Sequence, residues 1–205
     1  MAVQAAQVPK RMLSLALTDG LLCLSAAWLA WKSAGTLGFR FACGLVAIPA
    51  LLGFLRFSGL YPLEAWHQLF TIMSASAALP LLAISIQWPD SAVAQKRQFI
   101  LIFLGSTMLL GLLISGLGKL RMYDQALGLL SMLAMLLFLI RHGEKIQIAG
   151  AVVMLFGSVL FVVKVSVPPW LAPGDWLHMG MALGLILIAP KLRATEESGA
   201  LDNFA

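Results

Sequence analysis

The sequence predicts an all-α membrane protein, a bundle of about seven transmembrane helices joined by short loops. Composition is the first observation: 60% of the 205 residues are hydrophobic and only 11% are charged, whereas a soluble domain carries about a quarter charged residues. The mean hydropathy is +0.92. The second is the series of apolar runs at Met12 to Trp31, Gly38 to Leu60, Trp66 to Trp88, Gln98 to Gly118, Tyr123 to Ile140, Ile146 to Val165 and Asp175 to Pro190. Most approach the ~20 residues that cross a bilayer, and the fifth and seventh are short. The third is the brevity of the connections, the longest being Pro89 to Arg97, which leaves no room for a soluble domain and forces successive helices to run antiparallel.

The chain divides into an N-terminal segment over 1–11, a transmembrane domain over 12–190, and a tail over 191–205 that lacks apolar periodicity and reads as disordered. Lys10 and Arg11 ahead of Met12 resemble the start of a signal peptide. The length of the run, Asp19 inside it and the lack of a small-residue cleavage site make it an uncleaved first span instead. Antiparallel alternation puts Lys32, Arg40, Lys96, Arg97, Arg141, Lys145, Lys191 and Arg193 on the side of the C-terminus. Lys10, Arg11, Lys119 and Arg121 lie on the other side, with Arg56 and Lys164 near span ends there. The excess predicts an outside N-terminus and a cytoplasmic C-terminus.

The net charge of +5 is dispersed over these loops, so no nucleic-acid footprint exists; membrane lipids and other membrane-protein subunits are the expected partners. Cys23 and Cys43 sit within apolar runs and imply no disulfide framework. Trp31, Trp66, Trp88, Trp170 and Trp176 fall at span ends, as interfacial anchors do. The ten methionines are scattered through the spans and read as gap-filling apolar side chains.

Depth sorts the polar residues more sharply. Asp19 in the first span, Arg56 in the second, His67 at the start of the third, Lys164 closing the sixth, and Asp175 with His178 opening the seventh all belong to the N-terminal half of the membrane. A charge facing lipid costs a few kcal/mol, so Asp19 and Arg56 point inward, with an ion pair between Arg56 and Asp19 or Asp175 as the expected arrangement. Ala16, Asp19, Cys23 and Ala26 form a small-residue face of the kind that packs closely on a neighbouring helix. Asp175 and His178 share one face of the last helix, Gly180 and Gly184 form a GxxxG pair on another, and Asp175 is also placed to cap the helix start. Pro49 and Pro80 lie mid-span and predict kinks.

If these groups converge, His67, His178, Asp19 and Asp175 offer nitrogen and oxygen ligands for zinc, whose bound water would be a nucleophile. The same two histidines could alternatively be the axial pair of a haem. A proton or solute pathway would use Asp19, Lys164 and Asp175. No serine triad or phosphate loop is present, so the leading expectation is a non-catalytic binder of lipid or small molecules, or an assembly subunit. An intramembrane metal-dependent lipid hydrolase is the alternative.

Seven helices, polar groups near the N-terminal side and a histidine on the seventh resemble the CREST superfamily of membrane hydrolases and receptors, which includes alkaline ceramidases and progestin/adipoQ receptors. The resemblance implies zinc held by a histidine toward the end of an early helix, a nearby aspartate and a His-x-x-x-His pair on the last helix. Here the last helix reads Asp175-Trp176-Leu177-His178, with Gly174 and Ala182 four residues to either side of His178. The end of the second span has Arg56 and Phe57 where a ligand is expected. Arg56 would then supply a fixed cation in place of the metal, giving a bundle that binds rather than hydrolyses.

Overall fold

A computed structural model describes residues 10–118, 120, 122–167 and 170–189. The tail expected to be disordered, and most of the N-terminal segment, lie outside the described residues. The protein is all-α. Helices α1 (Lys10–Lys32), α2 (Leu37–Phe57), α3 (Glu64–Gln87), α5 (Arg97–Gly111), α6 (Met122–His142) and α7 (Lys145–Val162) belong to the six apolar segments long enough to span a bilayer. α8 (Pro173–Ile188) is the short seventh. The connection from 89 to 97 contains a helical turn, α4 (Ala92–Gln95), whose first residues are capped by Ser91.

The burial pattern is that of a membrane bundle. On α1 the exposed residues are Leu13, Leu17, Leu21, Leu24, Trp28 and Trp31, spaced three or four apart, while Ala16, Asp19, Leu22 and Ala26 are buried. Large apolar side chains thus face outward, toward lipid, and small or polar ones face the neighbouring helices. The small face expected around Asp19 packs against α2 and α8.

The closest helix pair is α7 with α8. A Cβ on Gly157 would lie 2.5 Å from the Trp176 carbonyl oxygen and 3.1 Å from the Gly180 Cα, and one on Gly150 would lie 2.9 Å from the Gly184 carbonyl oxygen. The GxxxG pair of α8 therefore meets Gly150 and Gly157 of α7 in backbone contact. These pairings fall in opposite order along the two helices, so the helices are antiparallel. α1 and α8 are parallel, because Ser14 meets Asp175 and Thr18 meets His178.

Helix ends are set by local chemistry. Thr36 accepts a hydrogen bond from the Phe39 N–H at the start of α2. At its end Gly59, with φ 116°, takes the left-handed conformation while the Leu60 and Gly59 N–H groups donate to the Leu55 and Arg56 carbonyls, which seats Arg56 in the last turn. α7 ends the same way: Lys164 has φ 58°, and the Val165 and Lys164 N–H groups bond to the Leu160 and Phe161 carbonyls. Pro49 and Pro80 are accommodated inside continuous helices. α5 closes in a π-helical turn over Leu112–Leu117, a feature that apolar periodicity does not signal.

Candidate functional site

Two hydrogen-bonded clusters occupy the expected half of the bundle. The first joins α1 to α8. Ser14 and Thr18 are four residues apart and face Asp175 and His178, three apart, so two pairs meet across one parallel seam. Ser14 Oγ donates to Asp175 Oδ2 at 2.9 Å, and Thr18 Oγ1 donates to Asp175 Oδ1 at 2.8 Å. The Ala172 N–H also donates to Asp175 Oδ2, at 2.6 Å. Asp175 is thus fully engaged and closes the first turn of α8 from its third helical position; Ala172, not Asp175, is the N-cap.

His178 Nδ1 lies 3.2 Å from Asp19 Oδ1 and 3.5 Å from Thr18 Oγ1. Thr18 Oγ1 also lies 3.1 and 3.2 Å from the Ser14 and Leu15 carbonyl oxygens, so its single proton has three acceptors in reach, Asp175 Oδ1 being the nearest. Asp19 is 1% exposed, yet its second oxygen, Oδ2, has no hydrogen-bond partner among the described residues.

The second cluster joins α2 to α3. Arg56 Nη2 donates to Glu64 Oε1 at 2.7 Å, and Arg56 Nη1 lies 3.2 Å from His67 Nδ1. The expected ion pair of Arg56 with Asp19 or Asp175 does not form among the described residues; the partner is Glu64, brought one helical turn ahead of His67 by the start of α3. Guanidinium nitrogens only donate, so His67 Nδ1 accepts and its proton resides on Nε2. Arg56 also stacks over Phe57 at 5.1 Å, and the His67 ring meets Phe57 edge-on.

Gly53 stands between the clusters. A Cβ there would collide with Asp19 Oδ2 and lie 3.0 Å from His67 Nε2. Glycine at this position lets the Asp19 carboxylate and the His67 ring pack directly against the α2 backbone.

Asp19, His67 and His178 line one cavity of about 120 Å³, whose remaining walls include Pro49, Ala50 and Thr71. Thr71, Leu79, Met132 and Leu177 are shared with a second, largely apolar cavity of about 160 Å³ reaching Ser158 and Phe161. His67 and Thr71 also border a more polar space of about 360 Å³ with Arg56, Ser115 and Asp124. Ser115, carried by the π-helical turn of α5, donates to Asp124 Oδ1 at 3.1 Å there.

Of the six residues singled out in sequence, Asp19, His67 and His178 meet at one cavity, Arg56 supports His67, and Asp175 supports the α1–α8 seam. Lys164 stands apart, exposed in the cap of α7. Ser14, Thr18, Gly53 and Glu64 were not anticipated. The i, i+4 spacing of Ser14 and Thr18 beside Asp19 could have signalled the first two; nothing local marks Gly53. For a metal, the free donors are Asp19 Oδ2 and the Nε2 atoms, since each histidine uses Nδ1 elsewhere. Among the described residues no three His, Cys, Asp or Glu side chains are gathered closely enough to hold an ion.

Bundle and cavity together define a polytopic α-helical membrane protein in contact with lipid, with a mainly apolar pocket between its helices at which Asp19, His67 and His178 meet. Residues 14–197 match the model of a family of unknown function, DUF6962, and the chain belongs to that family. No curated protein and no solved structure matches it.

Proposed function

We propose that this is a membrane-embedded binding protein for a small amphipathic molecule, whose polar end sits at Asp19, His67 and His178 and whose apolar part follows the cavity toward Met132 and Leu177. The observation that carries this reading is Asp19 Oδ2. A buried carboxylate oxygen without a partner costs on the order of 1–3 kcal/mol, and a ligand that donates to it recovers that cost. Asp175, equally buried on the facing helix, accepts hydrogen bonds at both oxygens, whereas Asp19, at the cavity, accepts at one.

The test is native mass spectrometry of protein extracted in mild detergent, comparing the parent chain with Ala75→Phe, which fills the cavity wall. The parent should carry a bound small molecule that the variant lacks; identical spectra would remove the basis of the reading. Elemental analysis and absorbance of the same sample address the alternatives. Stoichiometric zinc would transfer the site to the metal-dependent lipid hydrolase implied by the CREST resemblance, and a Soret band would assign His67 and His178 to a haem. Loop charge supports an outside N-terminus and a cytoplasmic C-terminal side.

A further inference from the structure

We infer that the cavity at His67 and His178 is filled from water on the side of Glu64, through a vestibule between α3 and α6, and that its ligand is a water-borne molecule with an apolar group about one ring in size rather than a bilayer lipid. The inference rests on the binding reading above and adds the route and the class of ligand. Six helices, α1, α2, α3, α6, α7 and α8, supply walls to the two inner cavities, and α5 packs outside them against α3. Beyond Leu79, Met132 and Met181 the bundle is filled by Phe39, Leu81, Leu82, Met135 and Leu185, each at most 1% exposed, so the cavities end there. Toward lipid, the seams on either side of α6 close at the same depth. A Cβ on Gly128 of α6 would lie 3.0 Å from the Leu79 side chain of α3, and Ser158 Oγ of α7 donates to Met132 Sδ of α6 at 3.2 Å.

The opening lies on the near side of those contacts. The space of about 360 Å³ beside Arg56 and Gln68 shares Thr71, Asp124, Gln125 and Phe161 with the cavity that reaches Ser158, and His67 and Thr71 with the cavity at Asp19. Gln68, Thr71 and Gln125 are exposed. At a rise of 1.5 Å per residue, Thr71 lies about 10 Å inside the start of α3 at Glu64. Amides and a carboxylate turned to hydrocarbon would each cost free energy, so Gln68, Gln125 and Asp124 line water that reaches as far as Thr71. Size then selects the ligand. A cavity of about 150 Å³ holds one benzene, so inner cavities of about 120 and 160 Å³ each take a group of that size. A lipid acyl chain, which extends about 15 Å to the midplane of a bilayer, is too long for either.

The test is the reactivity of single cysteines in a background without Cys23 and Cys43. Thr71→Cys in the vestibule and Ala75→Cys in the inner wall are treated, in reconstituted vesicles, with the impermeant cation methanethiosulfonate ethyltrimethylammonium from the side on which Glu64→Cys reacts. Leu130→Cys, 62% exposed at a similar depth on the outer face of α6, is the lipid control. Thr71→Cys and Ala75→Cys should react at least about tenfold faster than Leu130→Cys, because a charged reagent is excluded from hydrocarbon but not from a wet passage. Gln125→Trp, which fills the mouth, should slow Ala75→Cys and leave Glu64→Cys unchanged; if it fails to fold, the ratio of Ala75→Cys to Leu130→Cys decides. Cysteines that resist the cation but react with lipid-soluble N-phenylmaleimide would overturn the aqueous route and leave the binding reading standing, with the ligand drawn from the bilayer. Resistance to both reagents would overturn the route as well. In native mass spectra the adduct removed by Ala75→Phe should be far lighter than a membrane lipid, and one of lipid mass would overturn the ligand class. Reactive cysteines without any such adduct would overturn the binding reading and the ligand with it, leaving only a water-filled vestibule.

Discussion

Asp19 and Asp175 are buried carboxylates on facing helices, and their opposite hydrogen-bond states predict opposite responses to substitution. Asp175→Ala removes the acceptor of the Ser14, Thr18 and Ala172 hydrogen bonds and should cost about 1–3 kcal/mol, read as a lowered Tm in detergent. Asp19→Asn replaces an unpartnered oxygen with a group of the same shape and should leave Tm unchanged or raised while weakening ligand binding, the signature of a residue kept for function. A destabilised Asp19→Asn beside a neutral Asp175→Ala would reverse these roles. Arg56 and Glu64 form a partly exposed pair, with side chains 22% and 56% exposed, so a double-mutant cycle should give a coupling of about 0.2–1 kcal/mol, larger than that between Arg56 and Asp19. Lys164 holds a left-handed conformation that costs a non-glycine residue about 1–2 kcal/mol, so Lys164→Gly should raise Tm without altering ligand binding.

Among the described helices, α7 and α8 meet through four glycines, Gly150 and Gly157 on one and Gly180 and Gly184 on the other. In lipid the packing of helices has no hydrophobic driving force, so close van der Waals contact carries the association. Gly157→Val would push the Trp176 carbonyl and Gly180 away and should destabilise the bundle by several kcal/mol, within the range of core overpacking or above it. Gly105, on the open face of α5, has nothing within 4 Å of its Cβ position. Gly105→Ala should be neutral or stabilising by up to about 1 kcal/mol, because alanine is the better helix former. Equal effects of the two substitutions on Tm would deny that the α7–α8 seam is special. The same seam fixes the depth of α8, and so brings His178 level with Asp19 on α1.

Across the described chain, the parallel contact of α1 with α8 requires an odd number of crossings between them, in agreement with the five helices α2, α3, α5, α6 and α7 and a total of seven. Single cysteines introduced at Glu64 and Lys145, in a background without Cys23 and Cys43, should react with an impermeant thiol reagent from opposite sides of the membrane, Lys145→Cys from the cytoplasmic side. Labelling of both from one side would break the antiparallel order; labelling from reversed sides would invert the orientation and leave the fold intact.

Much of this architecture was legible in one dimension. Span lengths, the inward placement of Asp19 and the clustering of ionisable groups in one membrane half follow from two costs, exposing backbone to lipid and exposing charge to lipid, and both are paid residue by residue. Which groups pair is a different matter. Arg56 takes Glu64 rather than Asp19, Asp175 serves the helix seam rather than the cavity, and Gly53 becomes indispensable only because two side chains from other helices converge on it. Hydropathy and helical period specify how deep a residue lies and which way it faces. The few ångströms that separate a hydrogen bond from an open gap depend on the rotation and spacing of neighbouring helices, and only the packed bundle decides them.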